Sequence, residues 1–328
     1  MNNDRYTGPF KDHIVRHVAL KQSVGYKYET DAAHLERFDR FTQEKYPEAT
    51  TLTKEIVLDW CGKKMHETRA NQLSRTSIIR QFGIYLDQVG VAAYVIPKRY
   101  YPAETPYVPY IYSIDKLQRF FAETDRCRYC SECPYRHLIM PLFFRMIYTC
   151  GLRVSEARLL TVGDVDLKQG ILSVHHSKKD NSRLVPMSDE LAERCRSYFR
   201  EVHSFPKDTD TFFPALGGKP MTLTNAYSNF RRFLWRAGIS HGGRGKGPRI
   251  HDFRHTYACH CLKKWVRQGK DLAAYLPILK TYLGHDSFAE TAYYLRLTAD
   301  VFPDLTLKLE GRYPDIIPSL ERAADEAY

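Results

Sequence analysis

Four prolines fall within residues 96–112, IPKRYYPAETPYVPYIY, and interrupt a chain whose flanking segments carry helical periodicity. Each proline fixes its own φ, lacks an amide proton and holds the preceding residue extended, so no regular helix can run through the stretch. The chain is therefore expected to fold as two bodies, and 328 residues suffice for two cores at about 150 residues per domain. The boundaries read as a helical domain over 1–95, a linker over 96–112, a second domain over 113–300 and a tail over 301–328.

In the first segment apolar residues recur at helical spacing: Ile14-Val15-Val18-Leu20, Ala33-Leu35-Phe38-Phe41, Ile56-Val57-Trp60 and Ile78-Ile79-Phe82-Ile84-Tyr85. Thr30, Thr53 and Ser74 stand where helices would start, and Gly90 where one would stop. Beyond Ser113 a helix and then an apolar helix over 138–148 are expected, followed by a change of period. The short runs 165–167, 171–174 and 184–186 read as strands joined at Lys168-Gln169-Gly170 and Lys179-Asp180-Asn181. Helical patterns resume at 189–202, 224–237, 253–266, 271–282 and 288–295. The fold class is mainly α with a small antiparallel β-sheet.

Lysine and arginine number 49 against 38 aspartates and glutamates, a net charge of +11. The surplus is uneven, with 16 basic and 13 acidic residues up to position 112 and 33 against 25 beyond it. Such a balance points to a polyanionic partner, nucleic acid or an anionic membrane surface. The most apolar stretch, 138–146, is short and contains Pro141 and Arg145, which argues against a membrane-spanning helix. The opening residues have no apolar core of a secretory leader, so a cytoplasmic, nucleoid-associated protein with reduced thiols is expected. Cys127, Cys130, Cys133 and His137 have spacings that could grip zinc, but no second ligand pair is evident, and thiols on a loop or helix end are the preferred reading.

Four stretches carry residues suited to chemistry: CGLRVSEARLLTVGDVDL (150–167), SKKDNSRLVPMS (177–188), RIHDFRHTYA (249–258) and YLGHDSFAETAYYLRL (282–297). Arg153 follows Gly151 at a helix start, and Glu156, three residues on, shares its helical face and could hold the guanidinium in place. Lys178 and Lys179 sit at the tip of the expected hairpin beside Arg183, placed to deliver an ammonium to a phosphate or a leaving oxygen. His251 and Arg254 project from one helical face, one able to shuttle a proton while the other grips a phosphate. His251-Asp252-x-x-His255 also has a zincin-like spacing, with Asp in the place of the general-base Glu and no evident third ligand. Tyr294 lies nine residues after His285, about 13 Å along an unbroken helix, so a turn at Asp286-Ser287 is needed to bring the two together. Two arginines, a lysine, two histidines and a late tyrosine are the set that metal-free phosphodiester exchange requires: cations for the phosphorane, an acid for the departing oxygen and a phenol to store the bond.

These stretches resemble the signature boxes of the tyrosine recombinase (phage integrase) family. TCGLRVSE is similar to its first arginine box, HDFRHT to its His-x-x-Arg box and LGH to its third, with Tyr294 at the family's nine-residue spacing; the match covers roughly 110–300. The resemblance implies a helical core-binding, SAM-like domain over 1–95 and a catalytic domain over 113–300. It implies Tyr294 as the nucleophile forming a 3′-phosphotyrosyl link, Arg153, Arg254 and His285 as phosphate ligands, Lys178 as proton donor to the 5′-oxygen, His251 as proton-transfer partner and Glu156 as a supporting acid. Lys179 is the alternate to Lys178, because the hairpin is one residue longer than the family pattern, and Tyr293 the alternate to Tyr294. No cofactor, ATP or metal is implied. The implied partners are double-stranded recombination sites gripped by a C-shaped clamp, a homo-tetramer on paired sites and accessory recombinases or directionality factors, with the tail passing to a neighbouring protomer. The competing readings are a type IB topoisomerase or telomere resolvase relative, and a non-catalytic DNA-binding regulator with a zinc-binding cysteine cluster.

Overall fold

The computed structural model describes residues 5–103, 107–175, 182–243 and 247–301, with side chains described up to Thr298. The chain separates into two compact units between Tyr107 and Val108, inside the proline-rich stretch.

Among the described residues the first unit holds four α-helices: α1 (Lys11–Ser23), α2 (Glu29–Lys45), α3 (Lys54–Cys61) and α4 (Arg69–Gln88). Their apolar faces close on a core that includes Phe10, Ile14, Leu35, Phe38, Trp60 and Phe82, all fully or almost fully buried. Thr53 caps α3, its hydroxyl accepting from the Ile56 amide. The other two start signals read differently in three dimensions. Thr30 lies just inside α2, which follows a left-handed Tyr28, and α4 begins at the cap Thr68, leaving Ser74 in its interior. Thr68 wins because its hydroxyl accepts from the Asn71 amide, three residues on, and so extends the helix by a turn and a half.

The stretch 96–112 packs down from both ends. Ile96 is buried in the first core, whereas Tyr112 is buried in the second, stacked on Phe253 with its amide donating to the Thr256 hydroxyl. Proline therefore excludes helix and strand from the described part of this stretch without excluding burial.

In the second unit Ser113 caps α5 (Ile114–Asp125), which packs on α6 (Arg136–Thr149). The short α7 (Val154–Leu159) leads into a three-stranded antiparallel sheet, β1 (Val165–Asp166), β2 (Ile171–Val174) and β3 (Arg183–Pro186), in the order β1-β2-β3. Among the described residues five α-helices follow: α8 (Asp189–Val202), α9 (Leu223–Arg236), α10 (Asp252–Arg267), α11 (Leu272–Leu283) and α12 (Phe288–Val301). The β1–β2 turn forms because the Asp166 carboxylate accepts from the Lys168 and Gln169 amides and Gly170 takes a positive φ of 69°. An aromatic core of Phe120, Phe143, Phe144, Phe230, Phe233 and Phe253 joins α5, α6, α9 and α10. A second core, with Leu262, Leu276, Leu279, Leu283 and Leu295, fixes α10, α11 and α12 to one another. Lys178, Lys179 and the tail from 302 onward lie outside the described residues.

Candidate active site

The site is built around one buried carboxylate. Glu156, on α7, is 1% exposed and lies among three guanidinium groups. Arg153 donates through Nη1 to Oε1 at 2.8 Å, and its own amide donates to Oε2 at 2.8 Å. Arg183, at the start of β3, donates to both oxygens at 3.0 and 2.8 Å. Arg254 of α10 approaches Oε2 at 3.9 Å. Burial alone would raise the Glu156 pKa, but the hydrogen bonds and charge of Arg183, with help from the Arg153 amide and Arg254, bring it down to about 2. Glu156 is thus an anion at any working pH, and the cluster retains a net positive charge.

The same three arginines are tied to the end of α11. Arg183 Nε donates to the carbonyl of Tyr282 at 2.9 Å, Arg254 Nη2 to that of Leu283, and Arg153 Nη2 to that of Gly284 at 3.3 Å. A helix C-terminus exposes unpaired carbonyls and carries partial negative charge, so it suits cations. Gly284 closes α11 in the left-handed region, with φ 65°, and a Cβ there would sit 2.9 Å from Nη1 of Arg183. Glycine in the LGH stretch is thereby explained by both backbone conformation and the packed guanidinium. Arg254 also donates to the Gly151 carbonyl at 2.8 Å. Burial, and then the positive charge of Arg153, lower its pKa to about 10, which leaves it charged at neutral pH. Arg153 is the more open of the two, with 23% of its side chain exposed against 1% for Arg254.

Tyr294 comes to this cluster from α12. The turn at Asp286-Ser287 folds α12 back onto α10, and the ring of His285 stacks on that of Tyr294 with centroids 5.7 Å apart. Tyr294 is 3% exposed, whereas Tyr293, the next position round the helix, is 41% exposed. Burial raises the Tyr294 phenol to about 12, while the positive charge of the Arg254 guanidinium pulls the other way. The Tyr294 hydroxyl lies 2.9 Å from Nδ1 of His255. Burial, reinforced by His251 and Arg254, lowers His255 to about 3, so this imidazole is neutral. His285 is likewise lowered to about 3, by burial and then by Arg254 and Arg153, and its Nδ1 is engaged by the Thr291 hydroxyl at 2.8 Å. His251 precedes α10, with its ring edge-on to that of His255 at 4.7 Å.

The structure thus brings Arg153, Glu156, Arg254, His285 and Tyr294 into one cluster, with His251 beside His255 at its edge. Three contributors were not assigned from sequence. Arg183 read only as a hairpin neighbour of Lys178, and nothing local reveals that it faces Glu156. The sequence offers His255 only as a zincin-type ligand, and Thr291 carries no signal in it at all. Asp252 of that zincin-like spacing accepts from the Arg249 amide at 2.7 Å. Among the described residues no group of three or more His, Cys, Asp or Glu side chains is placed to hold a metal; Cys127, Cys130 and Cys133 are free thiols between α5 and α6, and His137 packs its ring against Tyr129.

Over nearly its whole length the chain is similar to a Sinorhizobium fredii protein named as an integrase/recombinase, y4rB, at 26% identity over 93% of this chain and 98% of that one. It is 32% identical to the tyrosine recombinase XerD of Proteus mirabilis over 47% of this chain and 46% of the relative. The fold is shared with the Tn1549 transposon integrase solved with transposon right-end DNA, at a TM-score of 0.64, 15% identity and coverage of 92% and 98%. It is also shared with the XerH recombinase solved on a palindromic difH substrate, at a TM-score of 0.61, 17% identity and coverage of 87% and 79%. The phage integrase family model matches residues 114–300, the span that contains the buried carboxylate, the arginines bound to it and the enclosed tyrosine. The chain belongs to the phage integrase family, the tyrosine recombinases, which are DNA strand-transferring enzymes.

Proposed function

We propose that the protein is a site-specific DNA recombinase in which Tyr294 is the nucleophile. Its phenolic oxygen attacks the scissile phosphorus, a 3′-phosphotyrosyl bond forms, and the bond to the 5′-oxygen breaks. The phenol's proton passes to Nδ1 of His255, 2.9 Å from the hydroxyl, with His251 beside that ring as the proton-transfer partner, and the departing 5′-oxygen is protonated by Lys178, with Lys179 as the alternate. Arg153 and Arg254 take the non-bridging oxygens in fork geometry and stabilise the charge of the phosphorane. His285, with Nδ1 held by Thr291, offers Nε2 to the same phosphate. Glu156 and Arg183 touch no substrate and set the angle of the two arginines. Rejoining is the same step reversed, with a 5′-hydroxyl attacking the phosphotyrosine, so bond energy is conserved without ATP.

The observation that carries this reading is the enclosure of the Tyr294 phenol beside Arg254, against the exposure of Tyr293. The partners that follow are duplex DNA sites, four protomers on paired sites and accessory recombinases or directionality factors, in the cytoplasm on the nucleoid. Residues 301–328 are assigned to contacts with a neighbouring protomer. The test is a nicked duplex that traps the covalent adduct. Tyr294→Phe keeps duplex binding and forms no adduct resistant to denaturation, whereas Tyr293→Phe forms it normally; the reverse pattern moves the nucleophile to Tyr293.

A further inference from the structure

The basic surplus of the second unit has another concentration, at the opposite end of α6 from Arg153. There a cleft of about 550 Å³ is lined by Arg126 and Arg128 after α5, Arg136 at the start of α6, Arg232 and Arg236 on the last turns of α9, and the thiol-bearing Cys127. One carboxylate, Glu123, also lines it, and that group is engaged by Arg126 at 2.5 Å. Among the described residues no ion pair is made by Arg128, Arg136, Arg232 or Arg236, and the buried Nε of Arg136 has no hydrogen-bond partner. Arg232 and Arg236 stand one turn apart on α9, where like charges repel unless an anion lies between them. The first turn of α6 carries no acidic residue, and the helix has no side-chain cap, so its positive end adds to the field. α6 is 14 residues long, about 20 Å, which separates this cleft from the arginines around Glu156.

We propose that this cleft is a second phosphate-binding site, distinct from the one around Tyr294, for a phosphate-rich anion. Guanidinium forks match phosphate oxygens in bidentate fashion, and the cavity has the size of an ordinary ligand site. Two sources share that chemistry: a backbone segment of bound DNA remote from the scissile phosphate, or a small free anion bearing a diphosphate. The DNA source rests on the recombinase reading, and the free-anion source does not.

Full-length protein is compared with Arg232→Gln/Arg236→Gln, two exposed positions outside the core. One arm measures binding of a duplex of arbitrary sequence against salt. The other measures iodoacetamide labelling of Cys127, by peptide mass, with and without inorganic pyrophosphate. A DNA backbone in the cleft appears as an affinity loss of about tenfold in the variant, with a salt slope flatter by about 1–2. A free diphosphate appears as slower Cys127 labelling in the unaltered protein, lost in the variant, with duplex binding unchanged. Arg128→Glu, on the loop, must give the same losses and serves if the double variant does not fold. Unchanged salt slope together with no pyrophosphate protection overturns the site. A missing Tyr294 adduct with intact protection overturns the recombinase reading alone.

Discussion

Arg183 grips both carboxylate oxygens of Glu156, at 3.0 and 2.8 Å, across 27 residues of chain. The pair joins β3 to α7, and a further bond from Arg183 to the Tyr282 carbonyl joins both to α11. Arg153 and Arg254 are then held by what this pair has already fixed: the carboxylate on one side and the carbonyls of Leu283 and Gly284 on the other. The positioning of the two arginines proposed to bind phosphate is in this sense a property of Arg183 and Glu156, which the proposal keeps off the substrate.

Removing one partner of a buried ion pair leaves the other charge uncompensated, which costs about 3–5 kcal/mol. Arg183→Ala is expected to destabilise the second unit by that order and to lower its melting temperature by about 10 °C. Scanning calorimetry measures the shift, and the nicked-duplex assay should show the adduct largely lost at temperatures where the variant remains folded.

The Glu156 carboxyl falls from its ordinary value of 4.5 to about 2 on folding. Because the folded value is the lower one, the stabilisation is complete above pH 4.5 and is lost as pH drops toward 2, with a total of about 3 kcal/mol. Denaturant unfolding of wild type and Glu156→Gln between pH 6 and 2.5 checks this. The wild type should lose its advantage steadily below pH 4.5, and parallel curves for the two proteins would contradict the assignment.

Gly284→Ala forces a left-handed φ of 65° on a residue with a Cβ and drives that atom to 2.9 Å from Arg183 Nη1. The conformational part costs about 1 kcal/mol, while the displaced guanidinium disturbs all three arginines. Adduct formation is expected to fall at least tenfold, a larger effect than the few degrees lost in a thermal melt.

The neutral His255 imidazole holds the Tyr294 hydroxyl at 2.9 Å and, with a pKa near 3, stays uncharged across the working range. His255→Ala is expected to slow single-turnover cleavage about tenfold without weakening duplex binding, and His255→Asn to recover part of the rate. The ratio of wild-type to variant rates should be the same from pH 6 to pH 9. A ratio that changes near pH 6.5 would mean that His255 acts as a titrating group.

Sequence alone determined where most of the elements lie and the order of the residues proposed for catalysis. Helical spacing placed the helices of both units, alternation placed three short strands, Ser113 and Thr53 marked true helix starts, and the order Arg153, His251-x-x-Arg254, His285, Tyr294 carried the family resemblance. These signals are legible because each depends on residues within a few turns of one another. Tertiary structure alone decided which neighbouring tyrosine is enclosed, that Arg183 belongs to Glu156, that the carbonyl end of α11 anchors three arginines, and that Arg128 and Arg136 face Arg232 and Arg236 across a cleft. Those relationships join segments tens to over a hundred residues apart, and they arise from how helices pack and which backbone groups that packing leaves unpaired. No local pattern in the chain records either.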